Sequence, residues 1–187
     1  MISGKRIALR PWQRDDIDAF MRWFNDPEVT QYLAIPYPCV TREAEEAFYE
    51  KAAKEPHHYC IVTQPQGRLI GNCAFHDLDL THRSAEVGIV IGEKDAWNQG
   101  YGREALAMML EIGFQGLGLH RIQLQYGAFN QRGEACYRAA GFREEGRRRD
   151  AWFVSGAYHD LVLMSMLDDE YRSSARQKPP LDDGAQS

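Results

Sequence analysis

Apolar and polar residues alternate with a period of two along seven segments of the chain, which is the pattern of β-strands. The segments are 5–10, 58–63, 68–75, 84–91, 121–126, 142–153 and 158–167. A turn sequence at 64–67 predicts a hairpin between the second and the third. Gly88 lies inside the fourth segment, where a glycine indicates a bulge or a close approach of the backbone to a ligand.

Apolar residues recur at helical spacing between these strands. Helices are predicted at 15–25, directly after Asp26-Pro27, at 41–54, from Gly102 to Gly116, and at 131–139. Single helices that alternate with strands and hairpins imply a mixed α/β sheet with crossover connections.

The length of 187 residues fits one domain, at 1–170, that buries its core without metal or disulfide staples. The polar, proline-containing segment 171–187 is expected to be a disordered tail. The four cysteines are far apart and form no CxxC pair, so we expect neither a metal site nor a disulfide framework.

A net charge of −5 argues against nucleic-acid binding, which requires a basic face, and suits a small cationic partner. The first residues show no signal-peptide pattern, and no apolar run approaches the ~20 residues that span a bilayer. We therefore expect a cytoplasmic protein without a membrane partner.

The candidate chemistry begins at two closely spaced glycines, Gly100 and Gly102, which lead directly into a predicted helix. Glycines let the backbone approach an anion, and the free N–H groups of the first helical turn point toward it. We interpret the turn at 97–103 as a phosphate cradle. A tight loop that enters a helix without binding an anion has the same sequence pattern. The neighbouring segments must therefore distinguish the two interpretations.

Four segments that follow one another in order provide that context. They are Ala85-Glu86-Val87-Gly88-Ile89, the turn and helix at 97–106, Asn130 through Tyr137 to Gly141-Phe142, and Tyr158-His159-Asp160. In this order they resemble the GNAT superfamily of acyl-CoA-dependent N-acetyltransferases. Arg10-Pro11, the stretch 23–29 and the region 149–164 resemble its branch of ribosomal-protein N-terminal and spermidine acetyltransferases.

The resemblance covers residues 5 to about 167 and implies a GNAT-like α/β (α+β) fold. Its centre is a mostly antiparallel sheet of about seven strands flanked by helices. It also implies acetyl-CoA as the cosubstrate. The six histidines show no metal-ligand spacing, so no metal is expected. The family usually has Arg or Gln where this chain has Trp97, so the backbone of the turn, rather than that side chain, is expected to hold the pyrophosphate.

The resemblance implies three sets of coenzyme contacts. The strand backbone at Ile89, Val90 and Ile91 pairs with the pantetheine and polarises the thioester carbonyl. The turn supplies Trp97, Asn98, Gln99, Gly100, Tyr101, Gly102 and Arg103. Asn130 and Tyr137 complete the set, and Asn130 either bonds the coenzyme or caps the helix predicted at 131–139.

Tyr137 occupies the position where the resemblance implies the general acid for the departing thiolate, although an aromatic packing residue has the same pattern. Glu86 lies two residues before Gly88 and therefore on the same side of a regular strand. It is the candidate general base, through water or directly; the alternative is an ordinary exposed or ion-paired glutamate.

The acceptor pocket is expected on the early helices and loop. Candidate lining residues are Asp26, Glu28, Tyr32, Tyr37 and His76, and the last of these is also placed to assist the base. Equally, these side chains solvate that edge of the molecule.

The sequence therefore predicts transfer of an acetyl group from acetyl-CoA to a primary amine in a ternary complex, without a covalent enzyme intermediate. By resemblance the first candidate for the acceptor is the α-amine of a protein or peptide N-terminus. The alternatives are a polyamine or aminoglycoside and, in another class, a noncatalytic acyl-CoA-binding module. A homodimer through the final strands is a further expectation.

Overall fold

The computed structural model describes residues 1–33, 40–52 and 54–177, of which residues 175–177 are described in their backbone only. Tyr37, one of the candidate acceptor residues, lies outside the described residues. In the described part, eight strands form one sheet in the order β1-β2-β3-β4-β5-β6-β8-β7. The strands are β1 (Ile2–Ser3), β2 (Ile7–Pro11), β3 (His58–Thr63), β4 (Leu69–Asp79), β5 (Ser84–Ile91), β6 (Arg121–Gly127), β7 (Arg143–Val154) and β8 (Ala157–Leu167).

Six helices flank this sheet. They are α1 (Ile17–Phe24), α2 (Pro27–Thr30), α3 (Arg42–Ala52), α4 (Tyr101–Glu111), α5 (Gln131–Ala140) and α6 (Asp168–Gln177). A π-helical turn, Ile112–Gly116, continues α4. All strand pairs are antiparallel except β5 with β6, which are parallel. The predicted fold class is thereby confirmed, with β1 as the additional strand.

The chain after β8 differs from the expectation of a disordered tail from residue 171, because α6 continues to Gln177. Three acidic residues in its first turn favour the helix dipole. The carboxylate of Glu170 also accepts the N–H of Leu167, and the ring of Tyr171 stacks on Phe114 at 4.9 Å. These contacts stabilise the start of α6, which the polar composition of the segment did not predict.

Two hydrophobic cores cover the two faces of the sheet. The larger packs α4 against one face, with Leu106 and Met109 fully buried against Ile122 and Met164. The smaller packs α1 and α2 against the other face around Phe20 and is closed by Trp23, Val29 and Cys60. Strand β5 contributes side chains to both cores.

Candidate active site

Strands β5 and β6 pair over only three residues each before they diverge. Ser84, Ala85 and Glu86 are opposite 121–123, and no pairing follows from Val87 onward. A cavity of about 370 Å³ opens in the gap between the end of β5, the start of α4 and the side of α5. The unpaired edge of β5 therefore faces a cleft large enough for an elongated ligand.

The register of β4 and β5 decides which backbone groups of β5 face this cleft. The Gly92 N–H donates to the Ile70 carbonyl at 2.9 Å, and hydrogen-bonded pairs alternate along an antiparallel ladder. Val90 therefore directs its backbone groups toward β4, whereas Ile89 and Ile91 direct theirs toward the cleft. Of the three residues expected to pair with the pantetheine, Ile89 and Ile91 therefore have backbone groups available in the cleft, whereas Val90 only lines the cavity. The pairing itself stays a prediction.

The turn before α4, residues 97–103, presents a continuous run of backbone donors and is called the amide turn below. Within the described residues, the N–H groups of residues 98 to 103 have no hydrogen-bond acceptor in the protein, and the first satisfied amide is that of Glu104, bonded to the Gly100 carbonyl at 3.1 Å. Asn98 and Gly100 have φ values of +61° and +82°, which curl the chain around this run. Six free donors at a helix N-terminus suit a diphosphate, so the geometry is compatible with the predicted phosphate cradle, and the binding itself stays a prediction.

The side chains of Arg6, which lies between β1 and β2, and of Trp97 hold the amide turn in place. The guanidinium of Arg6 donates to the Gln99 carbonyl at 2.8 Å and to the carboxylate of Glu104 at 3.0 Å, and it lies over the ring of Tyr101 at 4.9 Å. The Trp97 indole N–H donates to the Ile91 carbonyl at 2.7 Å. The polar side-chain groups of Trp97 and Gln99 bond within the protein, so these two side chains stabilise the turn.

Two arginines in the described part of the cleft wall, Arg103 and Arg132, make no ion pair with a described carboxylate. The guanidinium of Arg132 lies 4.2 Å from the ring centroid of Trp97 and 5.1 Å from that of Tyr32. Arg132 was not among the predicted site residues, although a cation in the first turn of a helix opposes the macrodipole and is a signal visible in the sequence. Both arginines add positive charge where the free amides converge.

Asn130 caps α5, because its side-chain oxygen accepts the N–H of Gly133 at 2.9 Å. It also lines the cleft. The capping role left open by the sequence is therefore present, and contact of its amide with the coenzyme stays a prediction.

Tyr137 lies inside the cleft wall on α5, beside the buried ring of Tyr126 at 5.4 Å. Burial raises the pKa of Tyr137 to about 12, and the neighbouring Cys136 and Tyr126 act in the same direction. The phenol therefore stays protonated across the neutral range, as a general acid requires. The same apolar surroundings disfavour a thiolate and therefore raise its proton affinity as well.

Glu86 and Gly88 lie on the same side of β5, as the regular pleat predicts, since no bulge interrupts the ladder between Gly71 and His76. The carboxylate of Glu86 accepts a 3.0 Å hydrogen bond from Gln125 on β6, and its backbone pairs with His76 on β4. A Cβ built on Gly88 would stand 3.0 Å from the His76 Nε2 atom. The approach that this glycine permits is therefore that of the imidazole.

The two acidic residues predicted to line the acceptor pocket, Asp26 and Glu28, already form ion pairs within the protein. Lys94, just before the amide turn, bonds the carboxylates of Asp26 at 2.8 Å and Glu28 at 3.0 Å, and Asp26 also caps α2. The pKa of Asp26 lies below its ordinary value, and the hydrogen bond from Lys94 is the largest cause of this shift. These residues fasten α2 to the chain that enters the amide turn, and any contact between them and an acceptor amine stays a prediction.

An aromatic wall borders the cleft on the side of β5 that carries Glu86. Tyr32 stacks on Phe129 at 6.0 Å, and Phe129 contacts the rings of His159 at 4.8 Å and Trp152 at 6.2 Å. Of these four residues, only Tyr32 was predicted from the sequence. The others come from distant segments that only the folded sheet brings together.

Neither a metal cluster nor a spanning helix is found in the described ranges. Residues 1–33, 40–52 and 54–177 contain no group of three or more His, Cys, Asp or Glu side chains placed to hold a metal ion. In the same ranges no helix is long and apolar enough to cross a membrane.

Comparison with known proteins gives a consistent result. The family model described as an acetyltransferase (GNAT) domain matches residues 6–143. The spermidine N(1)-acetyltransferase of Vibrio cholerae is 28% identical over 169 residues, which are 90% of this chain and 96% of that protein. The uncharacterized N-acetyltransferase p20 of Bacillus licheniformis is 28% identical over 171 residues, 89% of this chain and 96% of that protein. The crystal structure of spermidine N-acetyltransferase from Vibrio cholerae in complex with CoA and spermine has a TM-score of 0.82 at 26% identity, covering 90% of this chain and 99% of that chain.

Proposed function

The chain belongs to the GNAT acetyltransferase family and is an acetyl-CoA-dependent N-acetyltransferase, and we propose that its acceptor is a polyamine. The sequence had favoured a peptide α-amine, with a polyamine as the alternative. The similarity to spermidine acetyltransferases over nine-tenths of the chain supports the alternative better.

The observation that carries this proposal is a carboxylate beside an aromatic wall at the acceptor side of the cleft. The ring of Phe129 lies against Gly127, two residues from Gln125, which bonds the carboxylate of Glu86. Carboxylates and aromatic faces both attract an ammonium group, and a polyamine carries several. The net charge of −5 steers such a cation toward the protein.

The donors of the cleft fit acetyl-CoA, the cosubstrate. We assign the free amides of residues 98 to 103, with Arg103 and Arg132, to its pyrophosphate and phosphate groups, and the edge of β5 at Ile89 and Ile91 to its pantetheine. The Ile89 N–H then faces the position of the thioester oxygen, where charge develops during attack. Tyr137 donates the proton that the leaving thiolate needs.

The test is thiol release from acetyl-CoA by the purified protein against spermidine, spermine, N-terminal peptides and aminoglycosides. We expect turnover with the polyamines. Glu86→Ala should raise KM for a polyamine about ten-fold while the dissociation constant of acetyl-CoA stays within two-fold, and exposed Glu111→Ala is the matched control. Turnover with peptides alone would restore the α-amine as the acceptor and overturn the proposal.

A further inference from the structure

His76 lies on β4 at the edge of the site, on the face of the sheet that carries Glu86. Side chains alternate along a strand, so His76, Glu86 and Gly88 share one face of the β4–β5 pair. His76 is exposed, and its Nε2 atom approaches the backbone of Gly88 so closely that a Cβ there would be 3.0 Å away. The next residue along β5 is Ile89, whose N–H faces the cleft.

This position brings an imidazole nitrogen next to the peptide that is assigned to the thioester oxygen. An amine that attacks the thioester carbon must approach from one side of β5, and the His76 ring lies on the side of the aromatic wall. Glu86 is on the same face but is already bonded to Gln125 on β6 at 3.0 Å. The geometry therefore distinguishes the carboxylate of Glu86 from the imidazole of His76, which the sequence offered together as the general base and its assistant.

We propose that His76 is the general base that deprotonates the acceptor amine, and that Glu86 attracts the substrate cation and orients it. The inference rests on amine acetylation but not on which amine is the acceptor. His76 Nε2 takes one proton from the ammonium group and releases it to solvent. The neutral nitrogen forms the C–N bond, and Tyr137 protonates the thiolate as the C–S bond breaks. The nitrogen releases its second proton to solvent water, and water returns one proton to the Tyr137 phenolate.

The charged groups around His76 are compatible with this role. From β3, His58 faces it with ring centroids 5.7 Å apart and planes at 86°, and from β5, Glu86 pairs with it. Burial lowers the pKa of His58, and the charge of His76 lowers it further, although Glu55 at 3.5 Å raises it. The lowered pKa therefore favours the neutral form of His58.

The test compares His76→Gln with Glu86→Gln in the full-length protein, using the amine that the wild-type enzyme acetylates. We expect His76→Gln to lower kcat/KM by roughly 10²-fold and to remove the acid limb of its pH profile. Glu86→Gln should raise KM and keep that limb. Free imidazole should restore at least ten-fold of the lost rate in His76→Ala. Exposed His82, which pairs with Asp79, supplies the control His82→Gln.

Two further measurements separate the base from a structural role. Gly88→Ala leaves the imidazole in the protein but displaces it, so kcat should fall about ten-fold without loss of acetyl-CoA affinity. The ring proton signals of His76, followed by NMR in the enzyme without acetyl-CoA, should shift when the amine is added. A retained acid limb in His76→Gln, with its loss in Glu86→Gln, would overturn the proposal in favour of Glu86. Wild-type turnover with a different amine would overturn only the polyamine proposal.

Discussion

The indole of Trp97 is bonded to the end of the splayed strand, since its N–H donates to the Ile91 carbonyl at 2.7 Å. This bond joins the amide turn to β5, so the two elements that we assign to the coenzyme form one unit. The family position usually occupied by Arg or Gln thus has a structural role in this chain. The sequence showed that residue 97 departs from the pattern but not what replaces the lost contact.

Removal of this bond should loosen the cleft without unfolding the protein. For Trp97→Phe we expect acetyl-CoA affinity to weaken about five-fold, because one hydrogen bond contributes roughly 1 kcal/mol net. Isothermal titration with acetyl-CoA measures this. Trp152→Phe, on β7, is the matched tryptophan control, and an equal loss of affinity in both variants would contradict the role of Trp97.

The two glycines of the amide turn should respond differently to alanine. Gly100 has a φ of +82°, and a Cβ there would lie 3.3 Å from the Arg6 guanidinium. Gly100→Ala should therefore lower the free energy of unfolding by about 1 kcal/mol and weaken acetyl-CoA binding at least ten-fold. Gly102 lies within α4, where a Cβ would make only an ordinary 3.7 Å contact with Ile91.

For Gly102→Ala we therefore expect unchanged or higher stability, since alanine is the better helix former, and affinity within about three-fold of wild type. Urea denaturation and coenzyme titration of both variants provide the comparison. Similar losses of affinity in the two variants would show that the backbone conformation at Gly100 is not the determinant of binding.

The periodicity of the sequence predicted much of this architecture. The strands at 58–63 and 84–91 have the predicted bounds, because alternation is strong where both cores pack on the sheet. The backbone direction of Val90 was not predictable, because it depends on the register with β4. The ion pairs of Lys94 with Asp26 and Glu28 were also missed, since they join segments that are distant along the chain.

The residues that line the cleft were predictable where their position depends on one segment alone. The amide turn needs only a loop and a helix start, and ordered spacing indicated Tyr137. By contrast, the aromatic wall depends on Phe129 meeting Trp152 and His159 across the sheet. Arg132 had a local signal, a cation at a helix N-terminus, which becomes meaningful once an anionic ligand is expected.

A buried ion pair near the start of the chain should control stability. Arg10 donates to both carboxylate oxygens of Asp16, at 2.7 and 2.6 Å, and Asp16 also accepts the Gln13 N–H at 2.7 Å. Asp16→Asn leaves the Arg10 charge half-buried without its partner, so we expect a loss of roughly 3 kcal/mol in the free energy of unfolding at pH 7. Exposed Asp15→Asn should change it by less than about 0.5 kcal/mol.

The pH dependence provides a second readout for this pair. Burial alone would raise the pKa of Asp16, but the hydrogen bonds from Arg10, Gln13 and the Cys60 thiol lower it below its ordinary value. The folded state therefore binds this proton more weakly than the unfolded state, and the stabilisation is full above the unfolded pKa of ~3.9. The difference between wild type and Asp16→Asn should shrink as the pH falls below about 4, and a constant difference in urea titrations would contradict the assignment.

Tyr137 and Tyr126 form a matched pair for testing the general acid, because their rings lie 5.4 Å apart and only Tyr137 lines the cleft. Tyr137→Phe should lower kcat by roughly 10²-fold with unchanged acetyl-CoA affinity, since the thiolate must then take its proton from solvent. The hydroxyl of Tyr126 is buried without a hydrogen-bond partner among the described residues. Tyr126→Phe should therefore keep kcat and leave stability equal or up to about 1 kcal/mol higher.

The raised pKa of about 12 adds a test that depends on pH. If Tyr137 donates the proton, the wild-type rate should show no descending limb from this phenol below about pH 11, whereas an ordinary tyrosine would already be half-ionised at pH ~10. Burial stabilises the neutral phenol in the folded protein, so this contribution to stability is full below pH ~10 and is lost as the pH rises toward 12. Stopped-flow rates for wild type and both variants between pH 7 and 10.5 decide the question: equal rates in Tyr137→Phe and wild type would leave the ring as a packing residue only.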